Sequence, residues 1–246
     1  MNVAVMGYGT VGSGVVEIIN TKHSYIKERT SEEDLEVKYI LDLRDFPGDP
    51  NEGKFTKDFN DILNDDSVKI VAEAMGGVNP AFDFTAKCLA AGKHVVTANK
   101  ALVAAHGPEL AALARENGVA LLFSAACGGG VPFLHNLSIA ALDDEIESLG
   151  GILNGTTNFI LTKMAMEGMS MEDALSEAKR LGFAEFDATA DIEGLDMTRK
   201  ICILSSIAYG GYVPYSEIYH YGISKVTPEI LADVKEKGYI LKFVAE

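Results

Sequence analysis

Apolar residues in the first half of the chain come as short unbroken runs, separated by stretches with helical periodicity. The run N-V-A-V-M at 2–6 is followed by Val15, Val16, Ile18 and Ile19 at helical spacing. A continuous apolar run of that length fits a strand buried on both faces, since neither face tolerates polar groups. The same reading gives strands at 36–41, 68–74, 94–96 and 119–123. Between them lie a helix over 80–91 stopped by Gly92 and an alanine-rich helix over 101–117, broken near Gly107-Pro108. Strand and helix alternate, so a parallel sheet with helices on both faces is expected.

After residue 123 the pattern changes. Three successive glycines, 128–130, offer exposed backbone and a hinge, or a plain interdomain linker. A helix over 132–142 and a strand over 146–153 follow, the strand ending in the polar turn N-G-T-T-N at 154–158. That turn opens a helix over 159–166, and Ser170-x-x-Asp173 caps another that runs to Leu181 and stops at Gly182. The densest polar stretch, 184–196, leads into an apolar helix over 197–208. Asp196 and Lys200 stand four apart and share one helical face. An ordinary surface ion pair would explain them, but a lysine entering a buried helix needs a partner or a task.

The turn between the first strand and helix reads Gly7-Tyr8-Gly9-Thr10-Val11-Gly12, the G-x-G-x-x-G pattern in strand-turn-helix context. Gly7 permits the tight turn, Gly9 lets the backbone approach a pyrophosphate, and Gly12 allows close helix–strand packing. The N–H groups at the head of the helix, Thr10 and Val11 among them, then face the phosphates. After the second strand, Asp42 suits the ribose diol of NAD and Arg44 the 2′-phosphate of NADP, so the choice between NAD and NADP stays open. Gly76, Thr97 and Lys100 fall at carboxyl ends of strands, where ligands of such sheets lie.

Composition narrows the classes. With 36 acids against 21 bases the net charge is −15, which disfavours nucleic acid and anionic membrane as partners while leaving room for a local phosphate pocket. Cys88, Cys127 and Cys202 are widely spaced and fit neither a metal site nor a disulfide framework, so a cytoplasmic location is expected. No apolar run approaches membrane-spanning length.

Five segments in order resemble homoserine dehydrogenase. They are G-Y-G-T-V-G at 7–12, T-A-N-K at 97–100, G-G-G-V-P at 128–132, G-I-L-N-G-T-T-N-F-I-L at 151–161, and A-E-F-D-A-T-A-D-I-E-G-L-D-M-T-R-K at 184–200. The resemblance implies an α/β class: an N-terminal Rossmann-type parallel sheet (1–127), then an α+β substrate-binding and dimerisation domain (128–246) that reads as C-terminally short. It implies NAD(P)-dependent interconversion of aspartate 4-semialdehyde and homoserine, on the route to threonine and methionine, by a homodimer acting on a small-molecule substrate. Lys200 would be the proton donor, Lys100 the other active-site lysine and a cofactor contact, and Asp191 a support for the lysines. Glu185 and Asp196 would bind the substrate, with Gly76 on the nicotinamide side and Gly182 against the cofactor. A monovalent cation would rest on the backbone of Cys127, Gly129 and Val131, but Ser124 stands where the family usually has a glutamate. Ala188 likewise replaces a usual proline. Two alternatives stay open: a related dehydrogenase of another small amino or oxo acid, and a catalytically weak cofactor-binding regulatory protein.

Overall fold

The computed structural model describes residues 1–30 and 34–246, which divide into two compact units, Met1–His135 and Asn136–Glu246. The first unit is built on six parallel strands: β1 (Asn2–Met6), β2 (Glu36–Leu41), β3 (Phe55–Thr56), β4 (Val68–Glu73), β5 (His94–Thr97) and β6 (Leu121–Leu122). Their order in the sheet is β3-β2-β1-β4-β5-β6, the doubly wound arrangement. Strand order reverses beside β1, which pairs with β2 on one side and β4 on the other. A crevice therefore opens beyond the carboxyl ends of β1 and β4, where Gly7 and Gly76 lie.

The apolar run of β1 is explained by its two faces. Val3 and Val5 pack with Val16 and Ile19 of α1 (Thr10–Thr21), and with Val37 and Ile40 of β2. Ala4 and Met6 point the other way, into a cluster with Val71, Leu89, Leu102 and Leu110. Those last three residues come from α4 (Ala81–Ala90) and α5 (Lys100–Glu116). Two shorter helices, α2 (His23–Arg29) and α3 (Phe59–Leu63), complete the first unit.

Three expectations for this unit change. Helix α5 runs through Gly107-Pro108 without a break. Proline costs a helix roughly 3 kcal/mol, yet Leu102, Val103, Leu110 and Ala114 are buried on both sides of it and hold the face on the sheet. The strand expected at 119–123 shrinks to the edge pair Leu121–Leu122, which among the described residues pairs only with β5. Strand β3 and helix α3 are additions to the pattern, because two residues and five residues carry too little periodicity to be read.

Helix α6 (Phe133–Asp143) spans the division between the units. The second unit continues with α7 (Gly155–Glu167), α8 (Met171–Arg180), α9 (Thr189–Ile192), α10 (Leu195–Ala208) and α11 (Pro228–Glu236). Its core gathers Ile160, Leu161, Met164, Ala174, Ala178, Ile223 and Leu231. The strand expected over 146–153 reduces to one antiparallel bridge, Gly151 with Ala245, closed by N–H···O bonds of 2.9 and 3.0 Å. A ladder needs a neighbour along its length, and among the described residues only Ala245 pairs with this segment.

Candidate functional site

In the first unit the glycine turn forms as expected. Gly7 has φ of +92°, and Gly9 is the N-cap of α1 with no side chain accepting from the helix head. The N–H groups at this end therefore face outward, where the helix dipole favours an anion. A side chain at Gly9 would meet open space, whereas one at Gly12 would sit 1.8 Å from the Gly7 carbonyl oxygen. Thr10 and Val11 are exposed on the first turn. A cleft of about 540 Å³ lies alongside, lined by Gly7, Gly9, Asp42, Arg44, Lys57 and Gly76 among others. These groups fit a dinucleotide.

Asp42 and Arg44 are bound to each other. Asp42 Oδ1 accepts from the Arg44 N–H and Nε–H, each at 3.0 Å, and Oδ2 accepts from Arg44 Nη2 at 2.9 Å and the Tyr8 N–H at 2.8 Å. Arg44 also donates to the Tyr8 carbonyl at 3.0 Å. The guanidinium holds the Asp42 carboxyl well below the usual carboxylate range.

At the ends of β4 and β5 sits a buried carboxylate, Glu73, which in the sequence is one acid in an apolar strand and carries no signal of its own. It accepts from the Met75 N–H at 2.9 Å, the Thr97 hydroxyl at 2.5 Å and the Asn99 amide at 3.4 Å. Asn99 donates to the Gly77 carbonyl at 2.6 Å and caps α5 through the Leu102 N–H at 3.1 Å. Thr97 is buried with its hydroxyl turned inward to Glu73. It ties together the turns that carry Gly76 and Lys100, and Lys100 opens α5.

The second unit brings Asp191, Asp196 and Lys200 into one cluster. Lys200 Nζ lies 2.6 Å from Asp196 Oδ2 and donates to the Leu153 carbonyl at 2.7 Å. Helical spacing explains the pair, and burial makes it unusual: the side chains are only 16% and 7% exposed. Asn154 is the member that sequence reasoning missed. The polar turn it begins does open a helix, and its Oδ1 caps α7 by accepting from the Thr157 N–H at 2.8 Å. Its amide also donates to Asp191 Oδ1 at 2.7 Å and Asp196 Oδ2 at 2.9 Å.

Glu185 and Gly182 are exposed on the loop after α8, with Gly182 at φ of +79°. Among the described residues no hydrogen bond or ion pair joins Glu185 to Asp191, Asp196 or Lys200. The cysteines are buried and, among the described residues, form no disulfide; burial pushes the Cys88 thiol up to about 12 and raises that of Cys202. Neither of those two thiols is an available nucleophile at neutral pH.

The turn after β6 matches a cation poorly. Ser124, in a single 3-10 turn, brings no charge, and the Val131 carbonyl already accepts from the Phe133 N–H at 2.8 Å. Among the described residues no cluster of three or more His, Cys, Asp or Glu side chains could hold a metal, and no helix is long and apolar enough to cross a membrane.

Comparison with known proteins places the chain. Residues 7–124 match the family model described as "Homoserine dehydrogenase, NAD binding domain", and 132–246 the one described as "Homoserine dehydrogenase". A homoserine dehydrogenase of Bacillus subtilis is 40% identical over 253 residues, covering 99% of this chain and 57% of that protein. The crystal structure of a homoserine dehydrogenase from Thiobacillus denitrificans superposes with a TM-score of 0.91 at 38% identity, covering 99% of this chain and 57% of that one. A hyperthermophilic archaeal homoserine dehydrogenase in complex with NADPH gives a TM-score of 0.78 at 29% identity, covering 92% of this chain and 74% of that one. The chain spans a little over half the length of the curated relatives it matches. With both models matched in chain order and relatives aligned along nearly all of it, the chain belongs to the homoserine dehydrogenase family.

Proposed function

We propose that the chain carries the nucleotide-binding (1–127) and catalytic (128–246) parts of a cytoplasmic, homodimeric enzyme that interconverts L-aspartate 4-semialdehyde and L-homoserine with NADP or NAD. The observation that carries this reading is the buried lysine–aspartate pair on the segment shared with the family, Lys200 with Asp196 at 2.6 Å. When bound, the nicotinamide supplies or accepts the hydride. In the reducing direction negative charge develops on the aldehyde oxygen, and the Lys200 ammonium stabilises it and then protonates it. Lys100 is assigned as the other active-site lysine and a cofactor contact. Glu185 and Asp196 are the carboxylates for the substrate's α-ammonium, and Asp191 keeps Asp196 in place through Asn154. Gly76 and Gly182 are assigned to the cofactor.

The reading is tested by following nicotinamide absorbance with purified protein, homoserine and either cofactor. Homoserine-dependent reduction of NADP or NAD is expected; its absence in folded protein that binds the cofactor would sink the assignment.

Within this reading the cofactor is NADP. The Asp42 carboxylate is already engaged by Arg44 and Tyr8 through both oxygens, so a ribose diol would have to displace them. Arg44 and Lys57, both on the same cleft, suit a phosphate instead. Arg44→Ala is expected to weaken NADPH binding by roughly 10-fold or more, the worth of a charged hydrogen bond, and to change NADH binding far less. Titration of cofactor fluorescence measures both; equal losses would assign Arg44 to the turn rather than to the phosphate.

A further inference from the structure

We infer that Asn154 is a positioning residue for the proton-donating lysine, an assignment that rests on the homoserine dehydrogenase reading above. Both hydrogens of its amide nitrogen are committed to carboxylates, one to Asp191 Oδ1 at 2.7 Å and one to Asp196 Oδ2 at 2.9 Å. Asp196 Oδ2 is in turn the atom that lies 2.6 Å from Lys200 Nζ. One residue earlier, the Leu153 carbonyl accepts from the same ammonium at 2.7 Å. Two groups that hold Lys200 are thus set by one dipeptide: a carbonyl from Leu153 and a carboxylate fixed by Asn154. The cap on α7 anchors that dipeptide, since Asn154 Oδ1 accepts from the Thr157 N–H at 2.8 Å.

Burial gives these bonds their leverage. Asn154 is 4% exposed, so water does not replace a lost donor, and two carboxylates left without the bridge repel each other. When Lys200 gives up its proton, the N–H bond breaks with its electron pair staying on nitrogen, and an O–H bond forms on the substrate. The amine is then neutral and its attraction to Asp196 falls. Asn154 keeps Asp196 in place until solvent returns a proton to Lys200.

Capping alone does not require asparagine here, because serine and aspartate cap helices about as well. Neither can donate to two carboxylates at once: serine has a single hydroxyl hydrogen and ionised aspartate has none. This separates the two roles. In Asn154→Ser the cap is kept, and the thermal midpoint is expected to fall by only a few degrees as two buried carboxylates lose a donor. Measured well below that midpoint, kcat for homoserine oxidation is expected to fall by roughly 10- to 100-fold, the penalty of a misplaced reacting group. The solvent deuterium isotope effect on kcat should rise, because proton transfer becomes slower relative to the other steps. A mere loss of folded protein would leave that isotope effect unmoved. KM for NADP should not change. Asn154→Asp, which puts a third carboxylate against the other two, should be worse.

A crystal structure of Asn154→Ser supplies the independent readout, with Asp191 and Asp196 apart and Lys200 displaced from the Leu153 carbonyl. Turnover within about twofold of wild type with an unchanged isotope effect would overturn the inference. Should the wild-type chain fail to oxidise homoserine, the activity reading falls. The crystal structure then decides alone, and an unaltered Lys200–Asp196–Leu153 arrangement overturns the role of Asn154.

Discussion

Replacing Lys200 by methionine is expected to lower kcat for homoserine oxidation by at least ~10³-fold, combining loss of a positioned proton-transfer group with loss of charge at the developing alkoxide. Methionine keeps an aliphatic stem of similar length, but it leaves Asp196, 7% exposed, without this cation. Breaking a buried pair in this way costs about 3–5 kcal/mol, so stability should fall as well as activity. Lys200→Arg separates the two effects. A guanidinium restores the positive charge beside Asp196 yet does not release a proton near neutral pH, so this second variant would be folded and still slow. Lys200 is assigned to the substrate oxygen and the phosphates to the glycine turn, so affinity for NADPH is expected to change far less than kcat in both variants. Turnover by nicotinamide absorbance, thermal midpoint and cofactor titration measure the three quantities. If Lys200→Arg kept a tenth or more of the wild-type rate, Lys200 would not be the proton donor.

What could be read from the sequence follows from how far each interaction reaches along the chain. Strand β1 was legible because both its faces are buried, Val3 and Val5 on one and Ala4 and Met6 on the other, leaving an unbroken apolar run. The Asp196–Lys200 pair was legible because one helical turn joins its members, and the cap at Ser170 because it acts within three residues. Interactions that join distant segments were not. Asn154 meets Asp191 and Asp196 across 37 and 42 residues, and Glu73 meets Thr97 across 24, with no periodicity to mark either partner. For Thr97 the place at the end of a strand was legible, and the inward turn of its hydroxyl to Glu73 was not. The segment 146–153 reads as a strand, and sequence alone does not supply the neighbour a ladder needs.

The glycine turn allows a second large effect to be divided into fold and ligand. Gly12→Ala places a Cβ 1.8 Å from the Gly7 carbonyl oxygen and 3.4 Å from Val5 Cγ1. The nearer atom is backbone and cannot swing aside, so α1 must lift from the sheet and loosen Val16 and Ile19 from Val3, Val5, Val37 and Ile40. Overpacking of this kind costs about 1–3 kcal/mol where neighbours can adjust, and a backbone clash lies at or above the upper end. A loss of about 3 kcal/mol corresponds to a midpoint lower by roughly 6–12 °C. Gly9→Ala acts through the ligand instead. Its φ of −85° and ψ of −163° suit alanine, and nothing lies within 4 Å of the added carbon, so stability should hold. The carbon fills the space a pyrophosphate needs to reach the head of α1. NADPH affinity is therefore expected to fall by at least ~10-fold with the midpoint unmoved, since an obstructed backbone–phosphate contact is worth a charged hydrogen bond or more. Calorimetric unfolding and fluorescence titration of both variants give the comparison. Gly9→Ala binding NADPH like wild type would mean that the phosphates do not approach at this turn, whatever Gly12→Ala does to the fold.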